Sequence, residues 1–352
     1  MKTQRRGIDV LTRRSLVMAG IAAALGSLTA RHAGAVEKWS HAIVKSKGDA
    51  AFFYMAQKKG FWARRGLNVD LIELHGSRDV IRTLLAGEVD SSDSTPADVL
   101  PAVERGADLR FIGSAIVGCP YALYARPAIT SWADLADKTF GVSSAGSAPH
   151  IFTLAMLEIN NVPAENIKLV NAGGSAGRIN ALAAGRIDAT AASTEFIPMA
   201  DGLGIKVLGL AKSMAPMFPR FYEVMSQRTL ERRRDAAVQF LAGYMEGLRY
   251  CVDHRDEAIS LSAEVNDERP DARYAFAFDQ IVDGRMVSLD MDIPRDRIAW
   301  MQDTMMRLKQ QQAPVDIDRL IDTSARDKAL DLVGRRRWND APPTSPIDQK
   351  EP

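Results

Sequence analysis

Cysteine is scarce in this 352-residue sequence, and the two cysteines, Cys119 and Cys251, exclude a disulfide-rich scaffold. There is no GxGxxG dinucleotide loop and no Walker A sequence, and the histidines do not have the spacing of metal ligands. A formal net charge of +1 gives no basic excess for nucleic acid. We therefore expect no cofactor, no metal site and no nucleic-acid partner.

The first 35 residues resemble an export signal. A basic segment precedes the uncharged run 15–30, whose 16 residues are short for a membrane span, and Ala33-Gly34-Ala35 is an A-x-A cleavage site. Thr12–Val17 resembles a twin-arginine motif; the Lys usual downstream is missing, so the ordinary secretory route stays open. The sequence predicts a periplasmic protein cleaved near Ala35, with no membrane insertion of the mature chain.

Export changes how charge and cysteine are interpreted. Residues 1–35 carry six Lys/Arg and one acid, so their removal leaves a net charge near −4. Cys119 and Cys251 could pair in an oxidising compartment. Because they are 132 residues apart in a large domain, two unpaired thiols are the more frequent arrangement.

One stretch occurs twice, at a constant offset of 98 residues. Residues 76–90 (GSRDVIRTLLAGEVD) and 174–188 (GSAGRINALAAGRID) are identical at 7 of 15 positions, where chance would give roughly one. Loop, helix and strand signals follow in the same order in both copies. The repeat predicts two lobes of similar build.

Strand and helix patterns alternate from Trp39 to Ser226, which is typical of doubly wound α/β sheets with largely parallel strands. Tyr121–Ala125 and Phe221–Ser226 are predicted to cross between the lobes. After Thr229 the sequence predicts helices over 229–254, 255–264, 271–283 and 295–311. The Pro-rich, charged tail 339–352 is predicted to be disordered.

Polar loops follow three predicted strands in each half and lead into helix N-termini. In doubly wound sheets, that edge binds ligands, and helix N-termini favour anions or polar oxygens. Each Ser or Thr in these loops could alternatively be only a helix cap. The residues predicted to line the cleft are Ser46, Gly48, Ser77, Thr95, Ser147, Ser175, Thr194 and Glu195.

Gly173–Gly177 matches G-x-S-x-G, the nucleophile-elbow motif of serine hydrolases, with Ser175 as the nucleophile. His254 is the only histidine after Ser175, and no HGGG-like oxyanion loop precedes the motif. A serine hydrolase is therefore an alternative rather than the favoured function.

Residues 55–69 (MAQKKGFWARRGLNV) resemble the A-x-x-K-G-F-F-x-x-x-G-L-x-V segment of ABC-transporter substrate-binding proteins. Residues 84–90 and 181–188 resemble the paired ALxxGxVD segments of the same proteins. The subgroup is the NMT1/THI5-like, SsuA-like one, which binds nitrate, sulfonates, taurine or pyrimidines. The resemblance covers about residues 38–230. Its cysteine-rich enzymatic branch is not matched, because this chain has no cysteine cluster.

The resemblance implies a type II periplasmic binding protein fold: two doubly wound α/β lobes joined by two crossing strands. Lobe one would comprise 36–124 plus 222–330, and lobe two 125–221. The implied function is capture of a small anionic or oxygen-rich ligand and its delivery to an ABC importer permease by a monomer that performs no chemistry. Because the carboxylate of Glu195 can accept hydrogen bonds, the ligand could also be an amine or a nitrogen heterocycle. A periplasmic ligand-sensing module is a second alternative.

Overall fold

The computed structural model describes residues 36–45 and 48–339; the predicted signal peptide, Ser46 and residues 340–352 of the predicted tail lie outside them. The strands of the described residues are β1 (Glu37–Val44), β2 (Leu67–Leu74), β3 (Ser91–Ser94), β4 (Leu109–Ile116), β5 (Tyr121–Ala125), β6 (Thr139–Val142), β7 (Lys168–Asn171), β8 (Ala189–Ser193), β9 (Lys206–Leu210) and β10 (Phe221–Ser226).

The α-helices of the described residues are α1 (Ala50–Lys58), α2 (Phe61–Arg64), α3 (Ser77–Ala86), α4 (Pro96–Glu104), α5 (Ala148–Ile159), α6 (Ser175–Ala183), α7 (Ala211–Met214), α8 (Gln227–Arg232), α9 (Arg234–Asp253), α10 (Arg255–Val265), α11 (Ala272–Asp283), α12 (Arg295–Arg307), α13 (Ile317–Leu320) and α14 (Ser324–Val333). Short 3₁₀ segments span Ala133–Leu135, Thr194–Met199 and Asp201–Leu203.

Two five-stranded sheets have the same topology, with strand orders β2-β1-β3-β10-β4 and β7-β6-β8-β5-β9. In each sheet the first three strands are parallel, and the fourth pairs antiparallel with both of its neighbours. That fourth strand arrives from the other half: β5 follows β4 in the chain, and β10 follows β9. The predicted two-lobed α/β fold is confirmed, and the exchanged strand makes each sheet mixed rather than wholly parallel. The name lobe one denotes the first sheet and the helices packed on it, and lobe two denotes the second sheet and its helices.

The repeated stretch builds the same unit in each lobe. It forms α3 in one and α6 in the other, and each helix is followed by a glycine in the left-handed region, Gly87 at φ 73° and Gly185 at φ 70°. The carboxylates that end the two copies accept backbone N–H groups of the equivalent strands β1 and β6, which hold the second place in the order of each sheet: Asp90 from Ser40 at 2.8 Å and Asp188 from Thr139 at 2.9 Å. The end of the repeat therefore ties the chain back into the sheet.

Helix α9 is the central helix of the lobe-one core. Phe240 of this helix stacks between Trp39 and Trp62, with ring centroids 5.1 and 5.5 Å away. The single helix predicted over 229–254 is wrong: α8 and α9 are separated at Arg233, where φ is −127° and the side chain turns to bind Glu37. The helix predicted to reach residue 311 ends at Arg307, and Lys309 has a φ of 55°.

Cys119 and Cys251 are both buried and both free, in different hydrophobic clusters. Each thiol is thus a small apolar side chain of the core, and burial raises its pKa above the ordinary value. Among the described residues, no helix combines the length and apolar character needed to cross a bilayer.

Candidate ligand-binding site

A cavity of about 470 Å³ lies between the two sheets, at the carboxyl ends of their parallel strands. Its wall includes residues from the loops after β1, β2 and β3 and from the equivalent loops after β6, β7 and β8. Ligand sites of doubly wound folds occupy this position because the loops of neighbouring strands converge there. The lining residues are Val44, Lys45, Asp49, His75, Gly76, Ser77, Thr95, Tyr121, Ser143, Ala148, Pro149, Gly173, Gly174, Ser175, Ala176, Gly177, Arg178, Ser193, Glu195, Arg220 and Phe221.

Two hydroxyls of the lobe-one wall are held by one buried carboxylate. Ser77 Oγ donates to Asp98 Oδ1 at 2.9 Å, and Thr95 Oγ1 donates to Asp98 Oδ2 at 2.7 Å. Burial raises the pKa of Asp98 to about 6, although the hydrogen bonds from Thr95 and Ser77 and the charge of Arg78 lower it. Asp98 was not predicted, but Thr95-Pro96-Ala97-Asp98 fits the T-x-x-D capping pattern and could have indicated it.

In lobe two the equivalent serine is held by a buried arginine. Ser175 Oγ accepts hydrogen bonds from Arg178 Nη2 at 3.1 Å and from Ser193 N at 3.3 Å. Nε and Nη1 of Arg178 donate to the carbonyl oxygens of Ala191 at 2.9 Å and Gly173 at 2.6 Å. Burial lowers the pKa of Arg178, but an arginine remains a cation at neutral pH. The lobe-two wall therefore has a positive charge directly behind its serine.

Arg220 brings a second guanidinium to the cavity, immediately before the returning strand β10. It lies over the rings of Tyr121 at 4.8 Å and Phe221 at 4.3 Å, and its Nη2 is 3.4 Å from Asp49 Oδ2. Burial opposes its charge, but Tyr121 and Asp49 hold the pKa of the guanidinium above its ordinary value. Its buried Nε has no hydrogen-bond partner among the described residues. The guanidinium of Arg220 therefore brings a second positive charge to the cavity wall.

Contacts between the lobes close the cleft. Gly48 N in lobe one donates to Glu195 Oε2 in lobe two, and Arg78 donates to the carbonyl oxygen of Ala145. A Cβ on Gly48 would lie 2.5 Å from Ala277 Cβ and 2.7 Å from Glu195 Oε2, so only glycine fits here without displacement. The structure is therefore that of a closed cleft.

Four of the eight residues predicted to line the cleft are part of the cavity wall. Ser77, Thr95, Ser175 and Glu195 line the cavity. Gly48, Ser147 and Thr194 are buried beside the wall without being part of it, and Ser46 lies outside the described residues. Their roles in ligand binding stay predictions.

The helix caps differ from those expected. Gly76 and Gly174 are the N-cap residues of α3 and α6, so that the serines begin the helices and their hydroxyls point to Asp98 and Arg178. Thr95 is the N-cap of α4, but its hydroxyl also binds Asp98 rather than the helix backbone. The hydroxyl of Ser147 bonds within its own turn, donating to Ser144 O at 2.7 Å.

The geometry around Ser175 is not that of a nucleophile elbow. Ser175 begins α6 and is not among the non-glycine residues with positive φ. Its hydroxyl accepts hydrogen bonds from Arg178 and Ser193, whereas His254 Nδ1 is 3.0 Å from Tyr250 O.

A serine, a histidine and an aspartate do meet elsewhere, in the lobe-one core. His41 Nδ1 is 2.7 Å from Ser91 Oγ, and His41 Nε2 is 3.0 Å from Asp93 Oδ1. All three side chains are at most 1% exposed. A substrate cannot reach this cluster, so it is a buried polar network of the core. No group of three potential metal ligands is found in the described part of the chain.

The two sheets with their exchanged strands have the periplasmic binding protein fold. A model of the family described as NMT1/THI5 like matches residues 47–258, which is more than half of the sequence. The chain belongs to this NMT1/THI5-like family. No curated protein sequence matches it.

Three solved structures illustrate the range of proteins with this fold. The ligand-binding component of an ABC-type import system from Staphylococcus aureus, with zinc bound, has a TM-score of 0.68 at 13% identity, covering 83% of this chain and 99% of that one. The alkanesulfonate-binding protein SsuA from Xanthomonas axonopodis pv. citri, bound to MOPS, has a TM-score of 0.67 at 16% identity, covering 82% of this chain and 99% of that one. DszB, as a cysteine-to-serine mutant in complex with biphenyl-2-sulfinic acid, has a TM-score of 0.63 at 15% identity, covering 84% of this chain and 99% of that one. At these identities the likeness concerns the fold.

Proposed function

We propose that this chain is a solute-binding protein that captures a small organic anion between its two lobes. The observation that carries the proposal is the cavity itself. Three strand-end loops from each sheet and the starts of both exchanged strands form its wall, and hydrogen bonds between the lobes close it. A ligand in this cavity contacts both lobes, and such contacts are what stabilise a closed form over an open one.

The charges of the wall favour an anion. Lys45, Arg178 and Arg220 outnumber Asp49 and Glu195, and the N-termini of α3 and α6 face the same space. A volume of about 470 Å³ is far larger than an inorganic anion needs and suits an organic molecule. Val44, Pro149 and the rings of Tyr121 and Phe221 offer apolar surface for its body. A sulfonate or carboxylate with a carbon skeleton fits this wall.

We extend the proposal to the cellular setting. An exported monomer in the periplasm would pass its ligand to the permease of an ABC importer, as the family and the predicted signal peptide suggest. The same fold could instead report ligand binding to a membrane sensor. Purification with an importer permease on a tagged chain would favour transport, and purification with a kinase or chemoreceptor would favour sensing.

We also propose that the chain performs no chemistry, although DszB shows that the fold includes an enzyme. Within the described residues, the wall hydroxyls of Ser77, Thr95 and Ser175 have no hydrogen bond to a histidine. An activated serine needs such a base within reach. Ester turnover that disappears in Ser175→Ala would contradict this proposal.

A thermal-shift screen of sulfonates, carboxylates, nitrate and pyrimidines tests the function. A ligand at 100 times its Kd adds about 2.7 kcal/mol to the free energy of unfolding, which raises the Tm by a few degrees. Arg220→Met should abolish the shift, whereas Arg82→Met, on the exposed face of α3, should retain it. If no compound shifts the Tm, and native mass spectrometry finds no co-purified molecule, the proposed function is wrong.

A further inference from the structure

Ser77 and Ser175 are equivalent in the repeat, yet they are hydrogen-bonded with opposite polarity. A hydroxyl has one hydrogen and two lone pairs. Ser77 gives its hydrogen to Asp98, which leaves its lone pairs for the cavity. Ser175 accepts from Arg178 and from Ser193 N, which occupies its lone pairs and leaves its hydrogen. The hydroxyl of the lobe-one serine is therefore a hydrogen-bond acceptor toward the cavity, and the hydroxyl of the lobe-two serine is a donor.

Asp98 controls the accepting wall. Its two oxygens hold the hydrogens of Ser77 and Thr95, so that both hydroxyls expose lone pairs. Asp98 itself is 9% exposed and is not part of the main cavity. It lies between that cavity and a second one of about 290 Å³, whose wall includes Arg78 and Arg105. Because it has no surface on the main cavity, Asp98 acts through the two hydroxyls as a positioning residue.

The donating side extends beyond Ser175. Arg178 lies directly behind that serine, and Arg220 is a second guanidinium of the cavity wall. Glu195 is the acid of this wall, and its Oε2 accepts the Gly48 N–H across the cleft. Acceptor oxygens of a ligand are thus matched on one side of the cavity and its hydrogen-bond donors on the other.

We propose that Asp98 makes the lobe-one wall a hydrogen-bond acceptor and thereby selects acids that also carry an N–H or O–H group. The acid group faces Ser175 and Arg220, and the amino or hydroxyl group faces Ser77 and Thr95. This inference rests on the proposed function and narrows its ligand class from organic anions to amino or hydroxy acids. An alkyl acid without a donor leaves both lobe-one hydroxyls unmatched.

Two pairs of probes test the selection by isothermal titration on the mature chain: taurine against ethanesulfonate, and β-alanine against propionate. In at least one pair, the amino compound should bind about tenfold more tightly, which is the effect of one hydrogen bond of ~1.4 kcal/mol. Asp98→Asn should lower this ratio severalfold, because the amide group donates to one of the two hydroxyls and turns that hydroxyl's hydrogen toward the ligand, while the other hydroxyl stays an acceptor. The affinity for the alkyl acid should stay within about twofold.

Asp79→Asn is the matched control: it removes an acid of α3 that pairs with Arg82 on the exposed face, and the ratio should be unchanged. Thr95→Val provides a second variant should Asp98→Asn fail to fold; it removes one acceptor and should lower the ratio severalfold. Equal binding of both members of each pair, or an equal loss for both in Asp98→Asn, would overturn the inference and leave the proposed function standing. Binding of none of the four compounds, together with a negative thermal-shift screen, would overturn both.

Discussion

The two copies of the repeated stretch differ most informatively at one buried position. Val80 in α3 is fully buried and apolar, and the equivalent residue of α6 is Arg178, which is 2% exposed. In lobe one the serine hydroxyl turns away to Asp98 on α4, and in lobe two it is held by the arginine of its own helix. The same backbone unit therefore carries a carboxylate behind one wall and a guanidinium behind the other.

The features that the two copies share belong to the scaffold, and the features that differ belong to the site. Gly87 and Gly185 end their helices alike, and Asp90 and Asp188 tie their turns to the first strand alike. The difference lies in the groups directly behind the wall hydroxyls. Arg178 within one copy and Asp98 on the helix that follows the other copy thus give the two walls different polarity without changing the unit that carries them.

The largest effect is expected from Arg178→Val, which gives lobe two the residue of lobe one. It leaves the carbonyl groups of Ala191 and Gly173 without their buried donor, so we expect a loss of about 3 to 5 kcal/mol in the free energy of unfolding. Urea denaturation measures this loss in the free energy of unfolding. Arg82→Val, at an exposed position of α3, is the control and should cost less than ~0.5 kcal/mol. A loss below 1 kcal/mol for Arg178→Val would contradict the structural role assigned to this residue.

Asp98→Asn should change how stability depends on pH. An acid whose pKa rises on folding stabilises the folded state below its unfolded pKa of 3.8, and this contribution is lost as the pH rises through about 6. The amide cannot ionise. The free energy of unfolding of the variant relative to the parent should therefore be greater at pH 7.5 than at pH 4, by about 2 to 3 kcal/mol. Urea denaturation at both pH values, with Asp79→Asn as the charge control, checks this; an identical difference at the two pH values would refute it.

Gly48→Ala tests the contact that joins the lobes. The added methyl group would overlap Ala277 and Glu195, and overpacking of this kind costs about 1 to 3 kcal/mol. The overlap with Glu195 of the opposite lobe exists only in the closed form, so ligand affinity should fall about tenfold; the overlap with Ala277 lies within lobe one and should lower the Tm of the unliganded chain as well. Gly202→Ala, where a Cβ meets no atom within 4 Å, is the matched control. Unchanged affinity in Gly48→Ala would show that this contact is not needed for closure.

The smallest effect is expected from Glu158→Gln. Glu158 of α5 pairs with Arg307 of α12 at 3.2 Å, and both side chains are more than a third exposed. Exposed pairs of this kind contribute about 0 to 1 kcal/mol, so the free energy of unfolding and the ligand affinity should hardly change. A loss above ~2 kcal/mol would show that surface contacts, rather than the cavity wall, hold the lobes together.

Much of the fold could be predicted because it depends on local patterns. Both exchanged strands, Tyr121–Ala125 and Phe221–Ser226, have the predicted bounds, and each copy of the repeat forms a helix followed by a strand, in the predicted order. The break at Arg233 was missed, because the tertiary contacts of its side chain determine it. The α13 and α14 helices were not predicted.

The site was predicted less completely, because its charged groups are buried. All six predicted loops reach the cavity, but Asp98, Arg178 and Arg220 could not be told from surface residues by their type alone. The repeat did contain a signal for one of them: Arg178 aligns with Val80, whose apolar character indicates an inward-facing position of the helix. The direction of the hydrogen bonds of Ser77 and Ser175 depends on which residues lie beside them in the folded chain. Spacing along the sequence does not show this.

Hydrogen exchange with and without the compound that gives the largest thermal shift tests most directly whether the ligand lies between the lobes. A ligand held between the lobes should slow the exchange of backbone amides in both copies of the site, at residues 75–78 in lobe one and 173–178 in lobe two, and in the closing loop at 48–49. Protection confined to one lobe, or located away from these loops, would contradict a ligand site between the lobes.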